Sequence, residues 1–161
     1  MFVTESRYLP DLLGGLALEA TAKGLSRIHF GPARVNDRPG PLIGRAEAQL
    51  REYFAGARFE FDLPLDLQGT AFQLAVWNAL IDIPYASTAS YRDIAIAVNR
   101  PRGFQAIGQA NTRNPVPIVV PCHRVINADG SMGGYGGGPS RKRILLDLEQ
   151  THAYRFRETA A

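Results

Sequence analysis

Residues 90–114, SYRDIAIAVNRPRGFQAIGQANTRN, decide how the second half of this chain folds. Ser90 with an aspartate three residues later resembles a capping box with the shorter acid, and it predicts a helix over 91–98. The turn residues 99–102 (NRPR) cannot continue that helix, so a second helix is expected over 103–111. Two short helices joined by a turn of about four residues have the layout of a helix-turn-helix.

The second of these helices is unusually poor in side chains along one flank. Small residues recur there at Gly103, Ala106, Gly108 and Ala110. A glycine inside a helix costs up to ~1 kcal/mol relative to alanine, so the pattern indicates that something approaches this flank closely. Either an outside partner or a tightly packed neighbouring helix would account for it.

Helices are also predicted on both sides of this motif. Thr70 is expected to cap a helix that ends before Pro84, and Ser140 is expected to cap a closing helix. The inward residues of the closing helix are predicted to be Ile144, Leu145 and Leu148. Between the motif and the closing helix, the apolar run PVPIVVP at 115–121 predicts a buried extended segment. A turn at Asp129-Gly130 and a glycine-dense loop at 133–138 follow it.

The first half of the chain differs from the second in that strand patterns accompany its helical pattern. Alternating apolar and polar positions at 16–30, around a Lys23-Gly24 turn, predict a β-hairpin. A proline- and glycine-rich loop at 31–41 precedes an amphipathic helix at 46–54, and a further strand is predicted at 58–65. These elements indicate a small α+β unit.

Composition is that of a globular protein, and the second half of the chain is the more basic half. The chain has 161 residues, 45% of them hydrophobic, without a signal-like start or an apolar run of the ~20 residues that span a bilayer, so we expect a cytoplasmic protein. Residues 71–161 carry ten basic and six acidic side chains. A nucleic acid partner or a solvated basic surface would each explain this excess. The basic residues of 90–125 are Arg92, Arg100, Arg102, Arg113 and Arg124.

Cys122 is the only cysteine, which excludes an internal disulfide. The histidines His29, His123 and His152 are scattered, so we expect no metal and no cofactor. A free thiol has a pKa near ~8.5 and must be activated to react as a thiolate. His123 can accept its proton, provided that the backbone turns near Pro121 or a water bridges the two groups, and Glu149 is the candidate that orients His123. A buried, unreactive thiol beside a satisfied histidine is the alternative.

At this point the chain resembles a known family. The string PVPIVVPCHRVINADGSMGGYGGG at 115–138 is closely similar to the active-site segment of the O6-alkylguanine-DNA alkyltransferases, whose signature is a Pro-Cys-His-Arg-Val core. Tyr91, Asn114 and Glu149 stand at the family's spacings from the cysteine, so the resemblance covers 69–150. It implies an α+β fold with a small ribonuclease-H-like unit, built on an antiparallel sheet, and a mostly helical C-terminal domain. The corresponding domains are 1–68, 69–153 and a tail at 154–161.

The resemblance also implies the reaction and the roles of the site residues. Cys122 would accept the alkyl group irreversibly in a single turnover, and His123 would activate it through a bound water while Glu149 orients His123. Asn114 would hold the bend that places the sulfur. Tyr91 would help to turn the base out of the duplex and donate a hydrogen bond to the leaving guanine. The implied partner is double-stranded DNA containing O6-alkylguanine, and O4-alkylthymine is a second candidate substrate.

Further residues are implied to contact the DNA. The second helix of the helix-turn-helix would enter the minor groove, where Ala106 and Gly108 permit close approach. Backbone groups of Cys122 and Val125 would read the exocyclic amine of the flipped base. The pocket walls would be formed by Pro117 and Tyr135, with Gly136 near the guanine oxygen.

One position departs from the family. Gln105 stands where many members insert an arginine into the gap left by the flipped base. We hypothesise that Arg102 or Arg113 supplies the missing phosphate attraction. We expect a monomer in solution, with cooperative assembly on DNA as a further hypothesis.

Two other functions compete with this one. A non-enzymatic sensor of alkylated bases would need no reactive cysteine, although Cys122 is present here with His123 and Glu149. A general cysteine enzyme or thiol redox protein using Cys122 and His123 would leave the helix-turn-helix unexplained. The chain also has no second cysteine to resolve an oxidised Cys122.

Overall fold

The computed structural model describes residues 2–31 and 36–160, and these form two compact units, Met1–Gln68 and Gly69–Ala161. Part of the loop predicted at 31–41 lies at 32–35, outside the described residues. Among the residues described, no helix is both long and apolar enough to cross a membrane.

Over its described residues, the first unit is a three-stranded antiparallel sheet with one helix. Strands β1 (Glu5–Leu9), β2 (Leu16–Thr21) and β3 (Gly24–Phe30) are ordered β1-β2-β3, and helix α1 (Pro41–Phe54) contacts all three. The predicted hairpin is confirmed as β2 and β3. The apolar side chains buried in this unit include Leu9, Leu16, Leu18, Leu25, Ile43, Ala46, Leu50 and Tyr53.

The strand predicted at 58–65 is wrong, because this segment forms only a single bridge, between Leu65 and Leu25. The backbone of Asp62 is instead paired with the side-chain amide of Gln49, which accepts from Asp62 N at 2.9 Å and donates to Asp62 O at 3.0 Å. Pro64 also lacks the N–H that a ladder would need. The close approach of this segment requires Gly24, since a Cβ there would lie 2.6 Å from Pro64 O.

The second unit is mostly helical. Its helices are α2 (Ala71–Ile81), α3 (Tyr91–Ala97), α4 (Phe104–Thr112), α5 (Pro139–Thr151) and α6 (Ala153–Ala160). Two short strands, β4 (Ala89–Ser90) and β5 (Val125–Ile126), pair in parallel. Trp77 on α2 is buried and donates from Nε1 to Ala110 O on α4 at 2.9 Å, which ties these two helices together.

The predicted helix-turn-helix is confirmed as α3 and α4. Ser90 accepts from Asp93 N and donates its own N–H to the Asp93 carboxylate, so the capping box is complete. Thr70 and Gln73 form a second capping box at the start of α2. Asn99 has a φ of 60°, a left-handed conformation that asparagine tolerates better than most residues, and it ends α3.

Three predictions about 115–160 are corrected. Helix α5 begins at Pro139 with Gly138 as its N-cap, so Ser140 lies inside the helix and does not cap it. Ile144 is 51% exposed, whereas Lys142 is fully buried on the inward face. Residues 115–121 are mostly buried, but they turn back rather than extend, since Val120 N donates to Val116 O at 2.9 Å. Residues 154–160, described above only as a tail, lie in helix α6.

Candidate active site

The candidate nucleophile, Cys122, opens a single 3-10 turn, Cys122–Arg124, between the 115–121 segment and β5. The backbone therefore turns directly after Pro121, as one of the two sequence alternatives required, and all three side chains of the turn are buried. The parallel pairing of Ala89 with Val125 joins this turn to the start of α3, which carries Tyr91.

Asn114 holds the segment that leads to Cys122. Its Nδ2 donates to Val120 O at 2.7 Å, and its Oδ1 accepts from Val116 N at 3.0 Å. The side-chain amide of Asn114 thus joins the beginning and the end of the turn that precedes the cysteine. Asn111, which the sequence analysis did not single out, donates from Nδ2 to Cys122 O at 3.3 Å and is also buried.

The Cys122 thiol is protonated in the DNA-free protein. Burial raises its pKa to about 11, against the opposing effects of hydrogen bonds from Asn114 and Tyr135 and of the Lys142 charge. Arg124, only two residues along the chain, is ion-paired with Glu149. A base must therefore remove the proton during any reaction at this sulfur.

His123 has the hydrogen-bonding pattern of such a base. It is fully buried, and its Nε2 lies 2.6 Å from Glu149 Oε2. Burial lowers the pKa of His123, although Glu149 opposes the shift, so we take the imidazole as neutral. Donation from Nε2 to the carboxylate leaves the acceptor lone pair on Nδ1, and Nδ1 has no hydrogen-bond partner within the described part of the chain.

Glu149 is held from several sides. Arg124 donates to it from Nε at 2.9 Å and from Nη2 at 3.0 Å, and Ala86 N donates at 3.0 Å. Burial alone would raise the pKa of Glu149, but the hydrogen bond from His123 and the charge of Arg124 outweigh it and hold the pKa at about 2. The carboxylate is therefore ionised and fixed in orientation.

Arg124 does not belong to the basic surface that the sequence predicts for 90–125. It is 6% exposed and donates from Nη1 to Ile83 O at 2.7 Å, with its guanidinium 5.7 Å from the centre of the Tyr85 ring. The other arginines of 90–125 are exposed, and no ion pair joins them to a described residue. They are Arg92, Arg100, Arg102 and Arg113.

Lys142 is a second buried charged residue that the sequence did not indicate. Its Nζ donates to the carbonyls of Val125, at 2.6 Å, of Gly134, at 3.2 Å, and of Met132. Burial lowers the pKa of Lys142 to about 8. This ammonium joins β5 to the glycine-dense loop, and only its position three residues before the buried Leu145 hinted that it faces inward.

A cavity of about 670 Å³ lies beside the helix-turn-helix. Tyr91 lines it and donates from its hydroxyl to Gly134 O at 3.4 Å. Gly133 has a φ of 70°, which favours glycine, and a Cβ there would lie 2.9 Å from this hydroxyl. The lining residues are Tyr91, Arg92, Phe104, Gln105, Gly108, Thr112, Asn127, Ala128, Gly133 and Gly134.

The structure thus places the predicted site residues in two groups. Cys122, His123, Glu149, Asn114 and Tyr135 are joined by the contacts of the buried turn. Of the residues expected at the DNA, the cavity brings together Tyr91, Gln105 and Gly108.

The remaining predicted residues do not line the cavity. Ala106, Arg102 and Arg113 are exposed on α4 or beside its ends. Pro117 and Val125 are buried, and Gly136 is exposed. The carbonyls of Cys122 and Val125 already accept from Asn111 and Lys142, which leaves each with one further lone pair.

Comparison with known proteins gives a consistent family. Residues 71–151 match the model for the 6-O-methylguanine DNA methyltransferase DNA binding domain, and residues 8–67 match the model for the ribonuclease-like domain of the same proteins. The inducible methylated-DNA–protein-cysteine methyltransferase of Bacillus subtilis (strain 168) is 52% identical over 157 residues, which cover 93% of this chain and 87% of that protein. A Methanosarcina barkeri protein named methylated-DNA–protein-cysteine methyltransferase is 41% identical over 148 residues, 87% of this chain and 93% of its own.

A solved structure gives the same result. The crystal structure of Mycobacterium tuberculosis OGT in complex with DNA superposes with a TM-score of 0.84 at 44% identity, covering 92% of this chain and 94% of that one. The resemblance found in the sequence and the expected α+β fold with a ribonuclease-like unit are both confirmed. The chain belongs to the 6-O-methylguanine DNA methyltransferase family.

Proposed function

We propose that this protein repairs DNA by transferring the alkyl group of O6-alkylguanine to Sγ of Cys122. The observation that carries the proposal is the 2.6 Å contact between His123 Nε2 and the ionised Glu149, which leaves the opposite ring nitrogen as an acceptor next to a cysteine in the chain. The family membership and the relatives' names support the same reaction.

The transfer is an in-line displacement. The Cys122 proton passes through a water molecule to His123 Nδ1, and the resulting imidazolium is stabilised by Glu149. The thiolate then forms a sulfur–carbon bond as the carbon–O6 bond breaks, and the electron pair of that bond stays on guanine. Tyr91 donates a hydrogen bond to the purine as this charge develops. The thioether is stable, so each molecule reacts once.

The substrate base must leave the duplex to reach a buried sulfur. Extrusion costs a few kcal/mol and is typical of enzymes that act on bases. We assign α4 to the minor groove, with Ala106 and Gly108 on its approach and Arg102 and Arg113 near phosphates. The support is that Gly108 is open, since a Cβ there would meet nothing within 4 Å. Packing against a neighbouring helix, the alternative raised by the sequence, does not explain this glycine.

We assign the remaining contacts to the flipped base. The carbonyls of Cys122 and Val125 accept from its exocyclic amine with their second lone pairs, and Pro117, Tyr135 and Gly136 form the pocket. The chemistry resides in the domain 69–153, preceded by the domain 1–68 and followed by the tail 154–161. A nucleophilic thiol that must stay reduced suits a cytoplasmic location.

The test is the intact mass of the protein after mixing with a duplex that contains O6-methylguanine. We expect one added methylene group per molecule, located on a peptide that contains Cys122, and loss of the lesion in equal amount. A Cys122→Ser variant that still removed the methyl group would refute the proposal. Tight lesion binding without a mass change would instead favour a non-enzymatic sensor.

A further inference from the structure

Phe104, the first residue of α4, is an exposed aromatic side chain at the cavity. Large apolar residues with exposed surface among the described residues are Phe2, Ile81, Ile96, Phe104, Ile144 and Tyr154, and Phe104 alone of these lines the cavity. Its exposed fraction is 48%. A half-exposed aromatic ring at a cavity beside the candidate active site indicates a binding contact rather than core packing.

The spacing along α4 places this ring beside a bare helix surface. Phe104, Gly108 and Thr112 recur at four-residue intervals, and all three line the cavity, so they share one face of the helix. Gly108 presents no side chain, and a Cβ there would meet nothing within 4 Å. A duplex that lies against Gly108 therefore meets the ring of Phe104 one turn away, at ~6 Å along the helix axis.

We propose that Phe104 is the wedge of this protein: its ring enters the base stack beside the lesion and fills the gap while the alkylated base is held at Cys122. This inference rests on the proposed function and adds the residue that opens the duplex. Apolar side chains inserted from the minor groove unstack base steps in many DNA-binding proteins, without a requirement for a particular sequence.

Gln105, the next residue along the chain, has the complementary capability. It lines the same cavity, and its amide can both donate to and accept from the base left without a partner. It has neither the charge nor the length of an arginine. In this division of roles, Phe104 provides the stacking surface and Gln105 provides the hydrogen bonds.

The test compares two substrates that differ only in whether a duplex must be opened. One is a duplex oligonucleotide with a single O6-methylguanine, and the other is the free base O6-benzylguanine, which reaches Cys122 without flipping. The variants are Phe104→Ala and Phe104→Trp. Tyr154→Ala is the matched control, because Tyr154 is 53% exposed on α6 and does not line the cavity.

We expect Phe104→Ala to slow single-turnover transfer from the duplex by about 10- to 100-fold, the range given by loss of one aromatic–base stack. Its rate with the free base should be that of the wild type. Phe104→Trp should keep the duplex rate, and Tyr154→Ala should change neither rate. The fluorescence of a 2-aminopurine placed next to the lesion, which rises on unstacking, should rise less with Phe104→Ala.

A wild-type duplex rate for Phe104→Ala would overturn the wedge. So would an equal loss on both substrates, since that pattern reports damage to the cysteine site. If the wild-type protein transferred an alkyl group from neither substrate, the proposed function itself would fail. That outcome is distinguishable, because a failed wedge leaves the reaction of the wild-type protein with both substrates intact.

Discussion

Arg124 binds Glu149 in a bidentate arrangement, with Nε 2.9 Å from Oε1 and Nη2 3.0 Å from Oε2. Both side chains are buried, and the same carboxylate receives His123 Nε2 at 2.6 Å. Because the guanidinium is planar, two parallel hydrogen bonds fix the plane of the carboxylate as well as its position. Arg124 is therefore a positioning residue for the imidazole beside Cys122.

Replacing Arg124 should lower both the stability of the protein and the rate of alkyl transfer. Arg124→Met leaves Glu149 without its strongest cation, and breaking a buried ion pair from one side costs about 3–5 kcal/mol of stability. Arg124→Lys should restore part of the stability but little of the transfer rate, because an ammonium cannot bind the carboxylate in two places. Urea unfolding and single-turnover kinetics on methylated duplex DNA measure the two effects. A folded Arg124→Met protein that reacts at the wild-type rate would contradict the positioning role.

The stability of the protein should decrease as the pH decreases, because the pKa values of His123 and Glu149 are both lower in the folded protein than their usual values. Burial lowers the pKa of His123 from 6.5, and the partners of Glu149 hold its pKa at about 2 rather than 4.5. The unfolded chain therefore binds more protons in acid, so the stabilisation is complete above the unfolded pKa values and is lost below them. The contribution of His123 to the free energy of unfolding begins to be lost as the pH falls through about 6.5. The contribution of Glu149 is lost between about pH 4.5 and pH 2 and amounts to roughly 3 kcal/mol.

Urea unfolding at a series of pH values measures this slope. Glu149→Gln is the comparison, because it cannot titrate, and its stability should fall less steeply than that of the wild type below about pH 4.5. Parallel curves for the two proteins would show that Glu149 does not carry the acid sensitivity.

Elements encoded by neighbouring residues were predictable from the sequence. The capping boxes at Thr70 and Ser90 mark α2 and α3, and the turn at Lys23 marks the hairpin. Strand β1 was missed because its pairing with β2 is fixed by partners seven to fifteen residues away across a loop. The strand predicted at 58–65 failed for the same reason, since a side chain of α1 competes for its backbone.

The site residues likewise divide into those that can be identified from nearby sequence and those whose role depends on distant partners. Cys122, His123 and Glu149 were identified from residue chemistry together with the family motif, and the structure places His123 and Glu149 in contact. Arg124 and Lys142 were not identified, because a charged side chain is usually exposed and nothing local shows that these two are buried. Their burial depends on partners that the chain brings from a distance, the Glu149 carboxylate for Arg124 and three backbone carbonyls for Lys142.

Gly108 offers a substitution that should separate stability from DNA repair. Alanine fits its surroundings, since a Cβ would meet nothing within 4 Å, and it should raise helix stability by up to ~1 kcal/mol. Transfer from duplex DNA should nevertheless slow, and Gly108→Gln should slow it further, because each added atom stands where the minor groove must approach. Gln109→Ala, at the exposed neighbouring position, is the control. Thermal unfolding measures the effect on stability, and single-turnover kinetics measure the effect on transfer from duplex DNA. A Gly108→Gln protein with wild-type repair would exclude close approach of the DNA at this turn.

Lys142 should determine the order of the loop that faces Tyr91. Lys142→Met keeps the side-chain length but leaves the carbonyls of Val125, Met132 and Gly134 without their buried donor, at about 1–3 kcal/mol for each group that stays unsatisfied. Amide hydrogen exchange at 133–138 should quicken. The pKa of Cys122 should also rise further, because the Lys142 charge is one of the effects that lower it.

The pH at which iodoacetamide begins to label Cys122 reports this second effect, and it should move upward in Lys142→Met. Arg143→Met is the matched control, since Arg143 is exposed on the same helix. Unchanged exchange at 133–138 in a folded Lys142→Met protein would mean that the loop is held by its own turns. An unchanged labelling profile would mean that the ammonium is too well screened by the three carbonyls to act on the sulfur.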